Sequence, residues 1–517
     1  MVAENNGNID YAAVDKCSYD EALNLTGFGK YNYIMLTSCI LLILAMYMDI
    51  FGFSVALPAV ACDMNLTITQ QGLLSAVPLI GVMLSSYAWG LCADTMGRRR
   101  TLLLAMPAAT VLSLAASVAP TYTSLAVLKF LSASFSSSAN AAAFVLLGES
   151  TPQRLRSRCL FLMASSTMFV QFIICLIALP VFQLSFNVYL PWITLYYRPW
   201  RLLMQTISLP GIFGVMSMVY LRESPKFLLS KGRDIEALDI LKKIYKTNTD
   251  NGDYTVTSIF LDEPAVSFPS ETTFLHKIWN QTAPLFKPPL LKNSLKLYYL
   301  LLSAYMTSTG YTMWIPTMTN AYFNGEEHTG KTFCEVARTA SSNTTTSTDC
   351  DNVVQPLTLY AVACYSSVSG TLNTILSFVV SSVGKKKITL LVFTVSVLSG
   401  LTLIFVRIPL LSITLFYLFN YVALILGTVN TYLVELNPTY LRGMATCLSV
   451  VVARGFGFIS VQLIGSLLAD HCTPMISGYV VLVMSGFAVT FLLPPDLKPD
   501  KNISSVKNDT ENIKTRC

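Results

Sequence analysis

The sequence predicts an all-α membrane protein with 12 transmembrane helices in two pseudo-symmetric six-helix halves. Composition is the first reason: of the 517 residues, 53% are hydrophobic and only 12% are charged, whereas a soluble domain carries about 25% charged residues. Repeated apolar segments of about 20 residues, the length that crosses a bilayer, are the second reason. The third is a charged phrase that occurs once in each half of the chain.

Twelve segments are long and apolar enough to cross a membrane, and we call them spans 1 to 12. They lie at about residues 31–57, 72–92, 101–119, 122–148, 159–180, 202–221, 296–318, 357–383, 387–407, 410–434, 443–468 and 474–493. Two six-helix halves, 31–221 and 296–493, are therefore expected on either side of a polar linker, 222–295, with amphipathic helices. Residues 1–30 and 494–517 are predicted to be terminal tails.

Basic residues lie almost entirely on one side of these spans, which we call the basic face. They include Arg98, Arg99, Arg100, Arg154, Arg156, Arg158, Lys385, Lys386, Lys387 and Arg442. The opposite face has few, among them Arg198 and Lys331. Because Lys and Arg concentrate in cytosolic loops, both termini are predicted to be cytosolic. The chain is expected to be a multi-pass protein of the plasma membrane or of a vesicle membrane.

The long loop 319–356 then lies on the extracellular or lumenal side. It contains Cys334, Cys350 and the glycosylation sequon that begins at Asn343. In that compartment a Cys334–Cys350 disulfide and a glycan on Asn343 are both expected. The alternative is a pair of free thiols and an unused sequon.

The repeated phrase connects the two halves. Glu149-x-x-Pro152-x-x-x-Arg156 returns as Glu435-x-x-Pro438-x-x-x-Arg442. Upstream, Gly90-x-x-x-Asp94-x-x-Gly97-Arg98-Arg99 returns, weakened and at nearly the same offset, as Ser377-x-x-x-Ser381-x-x-Gly384-Lys385-Lys386. Repetition over half a chain indicates a duplicated half-protein, which is one way in which transporters are built.

The phrase at 90–99 resembles the signature loop of the major facilitator superfamily. The residues around Glu149 and Glu435 resemble the charge relay of its sugar-porter branch, and residues 222–228 resemble that branch's PESPRFL phrase. This resemblance implies a gate of ion pairs on the basic face, formed by Asp94, Arg98, Arg99, Glu149, Arg156, Glu435 and Arg442. The alternative is that the arginines only obey the topology rule.

Within the superfamily, span 7 lacks the QQxSG phrase of sugar porters. Residues 314–318, WIPTM, instead resemble the WFPDM phrase of the synaptic vesicle glycoprotein 2 group, and residues 51–58, FGFSVALP, resemble that group's first helix. The resemblance therefore implies a synaptic vesicle glycoprotein 2-like transporter, with organic-ion transporters as relatives. A facilitative sugar carrier fits less well.

Two ionisable residues, Asp49 in span 1 and Lys129 in span 4, lie well inside predicted spans, where a charge is costly and usually functional. They resemble the acid–arginine pair of proton-coupled sugar porters. A carboxylate near a cation keeps a low pKa, and separation of the pair would let it take up a proton. The pair is therefore predicted to couple proton movement to transport. The alternatives are a static buried pair or a lysine that reaches the membrane surface.

Arg454 in span 11 is the other deep charge. It is a candidate contact for an anionic substrate group, or for a structural ion pair. Further candidate substrate contacts are Tyr47, Tyr311, Trp314 and Asn430, with helix packing as the alternative for the aromatic residues.

Taken together, these residues predict a secondary active transporter of a small organic solute, with an organic ion as one candidate. It would be proton-linked, would work by alternating access, and would be a monomer in the lipid bilayer. The alternative function is a trafficking or receptor protein on the same scaffold. No nucleophile–base group is apparent, and the three histidines and scattered cysteines form no metal motif. We therefore expect no enzyme activity, no metal, no cofactor and no nucleic-acid partner.

Overall fold

Long apolar helices make up most of the chain. The structure is a computed structural model that describes residues 16–191, 195–249, 254–261, 283–324, 330–337, 354–437, 439–468 and 470–494. Within these ranges the only strands are short pairs outside the spans. The prediction of an all-α membrane protein is confirmed.

In the first half, spans 1 to 4 are single helices, Lys30–Asp63, Ile68–Met96, Arg98–Ser117 and Tyr122–Glu149. Span 5 consists of Gln153–Met168 and Val170–Phe182, which meet at an angle of 46°. The hydroxyls of Ser166 and Thr167 donate to carbonyls of the preceding turn, and such back-bonding tends to bend helices. Span 6 consists of Pro199–Thr206 and Leu209–Tyr220.

In the second half, span 7 is Leu291–Asn324, span 8 is Pro356–Val383 and span 9 is Lys385–Phe405. Span 10 begins as Pro409–Asn420, passes through a 3-10 turn, Tyr421–Leu424, and continues as Ile425–Leu436. Spans 11 and 12 are Thr439–Leu467 and Cys472–Phe491.

Hydropathy identifies most of these spans but not all of them. In the described chain, ten helical segments are individually apolar enough to cross a membrane, and bent span 5 makes an eleventh. Span 7 is as long as span 1, with 34 residues, but it carries many hydroxyls. Ser303 and Thr307 are fully buried, so these hydroxyls face protein rather than lipid.

Short elements surround the spans on the basic face. They are the helices Tyr19–Leu25, Pro225–Ser230 and Asp234–Asn248, the 3-10 turn Ala283–Phe286, and the strands Lys16–Ser18 and Ser258–Phe260, which pair in parallel. On the opposite face the strands Val188–Leu190 and Leu195–Tyr197 pair antiparallel before span 6.

The segment before span 1 is fixed to the first half and to the linker. Tyr19 donates from its hydroxyl to the carbonyl of Glu149 at 2.6 Å, and Tyr254 of the linker donates to the carbonyl of Ala22 at 2.7 Å. Burial raises the pKa of the Tyr19 phenol, so this side chain remains a neutral donor. Asn248 donates to Asn32 of span 1 at 2.8 Å.

Arg198, an exception to the charge pattern, has a structural partner. Its guanidinium lies 3.0 Å from Asp63 at the end of span 1, and Arg201 lies 3.5 Å from the same carboxylate. Arg201 also stacks on Trp200 at 4.1 Å. These contacts join the end of span 1 to the start of span 6, which accounts for arginines on the sparsely charged face.

The two halves meet along spans 2 and 11, and along spans 5 and 8. Near the opposite face Gly72 and Gly465 approach so closely that a Cβ on Gly72 would lie 3.5 Å from the Cα of Gly465. At the bend of span 5, the Ser366 hydroxyl from span 8 accepts from the Phe172 amide and lies 3.1 Å from the Met168 carbonyl. Backbone groups released by the bend are therefore satisfied from the other half.

The disulfide prediction was wrong in its pairing, because Cys334 bonds to Cys472 at the start of span 12. The neighbouring Phe333 is buried, and its ring centre lies 4.9 Å from the ring centre of Phe416 in span 10. This contact holds the loop against span 10, while the disulfide holds it against span 12. Cys350 and the sequon residue Asn343 lie outside the described residues, so glycosylation there remains a prediction.

Candidate functional site

Asp49 and Lys129 form a buried ion pair between spans 1 and 4. The Lys129 ammonium donates to the Asp49 carboxylate at 2.6 Å, and to the Asp49 backbone carbonyl at the same distance. Lys129 has no solvent exposure and Asp49 is 6% exposed. The ammonium also lies 5.7 Å from the Phe53 ring centre. The lysine therefore points into the bundle and does not reach the membrane surface.

Two serines complete the coordination of this carboxylate. Ser113 of span 3 donates to one oxygen at 2.7 Å, and Ser132 of span 4 donates to the other at 2.6 Å. Ser208 of span 6 lies 3.2 Å from Ser113. Each carboxylate oxygen is thus hydrogen-bonded, as a buried charge requires. Neither serine was among the predicted site residues, although Ser132 follows Lys129 by three residues and so shares its helix face.

Arg454 lies at the junction of the halves. After it, Gly455 faces Met83 of span 2 and Gly457 faces Thr309 of span 7, each close enough that a Cβ would lie about 3 Å from that side chain. The Arg454 guanidinium sits 5.5 Å from the Tyr47 ring of span 1. These contacts place it beside both halves of the protein.

Tyr305 of span 7 joins this group and was missed by the sequence reading. Its hydroxyl lies near the Asn430 side chain and interacts electrostatically with Tyr47 and Arg454. The structure therefore brings together three of the predicted substrate contacts, Tyr47, Asn430 and Arg454, and adds a fourth side chain. We call these four residues the central cluster.

The Arg454 guanidinium has no acidic partner in the central cluster. Arg454 is only 8% exposed. Among the described side chains, Asp49 is the candidate acid within the spans. It does not pair with Arg454, because it is bound to Lys129. A buried cation without a counter-ion is unfavourable unless another anion binds it.

Tyr311 and Trp314 lie apart from the central cluster. Tyr311 is fully buried and packs against Phe416 and Tyr479 at 5.3 and 5.0 Å. Trp314 donates from its indole nitrogen to the Val461 carbonyl at 3.2 Å, and its ring lies against Gly72 and Gly465. Both side chains make packing contacts, and that of Trp314 is part of the contact between the halves.

Within the predicted gate, Arg98 joins the ends of spans 2 and 4. Its guanidinium lies 3.2 Å from Asp94 and 3.1 Å from Glu149. Ser224, after span 6, donates to the other oxygen of Glu149. The Asp94 side chain is 70% exposed. In the described part of the chain, these contacts join the first half to the start of the linker, and none of them reaches the second half.

Glu223 is a second acid in this region, and the sequence reading gave it no role of its own. Its carboxylate accepts from the backbone amides of Arg99 and Arg100 at 3.0 and 3.2 Å. These amides begin the span 3 helix, where a negative charge is favourable. Gly97, just before them, has φ +107°, a conformation that glycine adopts without strain.

Arg156 binds Asp20 at 2.6 Å, which links span 5 to the helix before span 1. Glu435 and Arg442 lie in the helices of spans 10 and 11, but their side chains lie outside the description. A gate between the halves therefore remains a prediction.

Comparison with known proteins decides the family. The sequence profile of the Major Facilitator Superfamily matches residues 39–461. The chain belongs to this superfamily. The resemblance inferred from residues 90–99 is thereby confirmed, and the predicted absence of enzyme activity agrees with a family of transporters.

Curated relatives come from both groups that the sequence suggested. Organic cation/carnitine transporter 7 of Arabidopsis thaliana is 30% identical over 50% of this chain and 49% of its own length. Human synaptic vesicle glycoprotein 2B is 23% identical over 60% of this chain and 49% of its own. The chain thus spans about half the length of these relatives.

Solved structures support the fold. The inward-open xylose transporter XylE from E. coli has a TM-score of 0.64 at 13% identity, covering 91% of this chain and 98% of that one. The nucleoside transporter NupG has a TM-score of 0.57 at 10% identity, covering 89% and 98%. At such identities the likeness concerns architecture alone, and it agrees with the predicted 12-helix fold.

Proposed function

We propose that this protein is a secondary transporter of a small organic solute that carries an anionic group, such as a carboxylate, and that Arg454 binds this group. One observation supports the assignment above all others. Arg454 is buried between the halves without an acidic partner among the described side chains. A bound anion would supply the missing counter-charge.

The chemistry of the central cluster suits such a solute. An arginine fork donates two parallel hydrogen bonds to a carboxylate, and these are among the stronger hydrogen bonds in proteins. Tyr305 and Asn430 add polar groups to the same cluster. One relative is named for organic cations and carnitine. Because carnitine contains a carboxylate as well as a quaternary ammonium, a zwitterion is included in the proposed class.

The duplicated architecture supports alternating access by movement of one half against the other. We place the basic face in the cytosol and treat a single chain as the working unit. In this arrangement Gly72, Gly465 and Trp314 would close the pathway on the opposite side. The ion pairs around Arg98 would stiffen the cytosolic end of the first half.

We further propose that Asp49 takes up and releases a proton during transport. Lys129, Ser113 and Ser132 together stabilise its charged form. Movement of span 1 relative to spans 3 and 4 would remove these donors, and a desolvated carboxylate without a cation binds a proton more readily. Proton uptake would then accompany one conformation only.

A solute panel tests the proposed substrate class. In detergent, carboxylate-containing solutes are expected to raise the melting temperature, because a ligand that binds only the folded state stabilises it. Size-matched neutral and purely cationic solutes should leave it unchanged. Uptake into proteoliposomes then separates transport from binding. A panel in which only neutral sugars stabilise the protein and enter the vesicles would overturn the assignment in favour of a sugar carrier.

Asp49→Asn tests the proton link in the same vesicles. For one proton per solute, a gradient of one pH unit should let the wild type accumulate its solute about tenfold, since one pH unit corresponds to about 1.36 kcal/mol. The variant should still exchange solute across the membrane but should not accumulate it. Asp239→Asn, which changes an exposed acid of the linker, is the matched control. Tenfold accumulation by Asp49→Asn would contradict the proposal.

A further inference from the structure

A charged cavity lies on the basic face, and none of its lining residues belongs to the central cluster. Its volume is about 280 Å³, and it lies between the start of span 3, the end of span 6 and the linker helices. Since one water occupies about 30 Å³ in the liquid, there is room for a phosphate and its polar neighbours. Five of the lining residues are basic: Arg99, Arg100, Arg222, Arg233 and Lys243.

Two of these cations are already paired on the linker helix. Arg233 donates to Glu236 at 2.8 Å, and Lys243 donates to Asp239 at 2.6 Å. In each pair the two partners are about one helical turn apart and exposed to solvent, so these ion pairs contribute little to stability. They neutralise the linker side of the cavity.

The other cations are not neutralised in the same way. The carboxylate of Glu223 accepts hydrogen bonds from backbone amides at the start of span 3, rather than from a basic side chain of the cavity. Arg99 donates to the Val219 carbonyl at 2.8 Å. The guanidinium groups of Arg100 and Arg222 have no ion-pair partner in the described chain, and both residues are exposed. They therefore hold two positive charges at the wall of the cavity.

The cavity adjoins an apolar surface of spans 3 and 6. Leu104 follows Arg100 by four residues, so it lies on the same helix face, and it is 58% exposed. Val219 and Tyr220, at the end of span 6, are 54% and 82% exposed. Apolar side chains exposed on a membrane span face lipid. The cavity is therefore situated where lipid chains meet the polar face.

We propose that this cavity, which we call the headgroup pocket, binds a phosphate group of an anionic lipid headgroup through Arg100 and Arg222. Arginine matches phosphate in geometry and charge, and basic pockets on the cytosolic side of membrane helices suit phosphorylated headgroups. The acyl chains would lie along Leu104 and Tyr220. Binding would join spans 3 and 6 to the linker helices, and it does not depend on the proposed transport.

The test uses the full-length protein in a neutral detergent. Dioctanoyl phosphatidylinositol bisphosphate is the lipid probe, dioctanoyl phosphatidylcholine is the neutral lipid, and inositol trisphosphate is the soluble phosphate. Melting temperature and native mass spectrometry report binding. The variant is Arg100→Gln/Arg222→Gln. Arg154→Gln/Arg158→Gln removes two exposed charges from the same face outside the pocket and serves as the matched control.

We expect the phosphoinositide, but not the phosphatidylcholine, to raise the melting temperature of the wild type and the control. In the pocket variant its affinity should fall by about tenfold or more, since two charge-assisted contacts are lost. The melting temperatures without lipid show whether the variants fold. Equal affinity for both double variants, or no difference between the two lipids, would overturn the pocket. If inositol trisphosphate bound as tightly as the phosphoinositide, the ligand would be a soluble phosphate compound and not a lipid headgroup.

Discussion

Lys129→Met is expected to lower the free energy of unfolding by about 3–5 kcal/mol, the cost of leaving one member of a buried ion pair without its partner. The substitution keeps most of the length of the side chain but removes the ammonium group that lies 2.6 Å from Asp49. Ser113 and Ser132 would remain, yet neutral hydroxyls cannot supply a full counter-charge. Unfolding in mixed micelles, or a melting curve in detergent, measures the change.

A double variant separates charge from packing. Asp49→Asn/Lys129→Met removes both charges, so it should be more stable than Lys129→Met alone. The coupling free energy should lie at the upper end of the roughly 0.5–3 kcal/mol found for contacting residues. Lys242→Met, on the exposed side of a linker helix, should change stability by less than about 0.5 kcal/mol. If the two substitutions at the buried pair were simply additive, the ion pair would have no role in stability.

Arg454→Gln is expected to reduce uptake of the anionic solute found by the panel by about 10- to 100-fold. A hydrogen bond to a charged group contributes about 1.5–3 kcal/mol, and glutamine retains a donor but no charge. Uptake by Arg454→Lys should lie between that of the wild type and that of Arg454→Gln, because lysine keeps the charge but loses the planar guanidinium group. Uptake of the labelled solute into proteoliposomes at several concentrations measures both the rate and the apparent affinity.

Arg407→Gln is the matched control for this prediction, since Arg407 is an exposed arginine of the same half. It should leave uptake unchanged. Uptake by Arg454→Gln within about twofold of wild type, well below the factor expected for a lost charged contact, would exclude Arg454 as the substrate contact. The fully buried Lys129 would then be the next deep cation to consider.

Several features of the fold could be read from the chain because they depend on local composition. Apolar length marks most spans, and the distribution of arginine and lysine separates the two faces. The doubled phrase at Glu149 and Glu435 indicates duplicated halves. The pairing of Asp49 with Lys129 could also be anticipated, because so few charges lie inside the spans that each has few possible partners.

Other features depend on how distant segments come together. Cys334 pairs with Cys472 of span 12 rather than with a cysteine of its own loop, and the adjacent Phe333 packs against Phe416 of span 10. Ser113 donates to Asp49 although the two residues are 64 positions apart in the chain. No local pattern encodes either contact.

The rotation of each helix is the hardest property to predict in this protein. In water, an apolar stripe marks the buried face of a helix, but in a bilayer the lipid and the protein interior are both apolar. The sequence therefore established which segments cross the membrane, how they are duplicated and where charges are exceptional. It did not establish that Tyr305 faces Arg454 while Tyr311 and Trp314 face packed helices. Those orientations follow from side-chain packing between helices, where shape and hydrogen bonding replace hydrophobicity as the deciding forces.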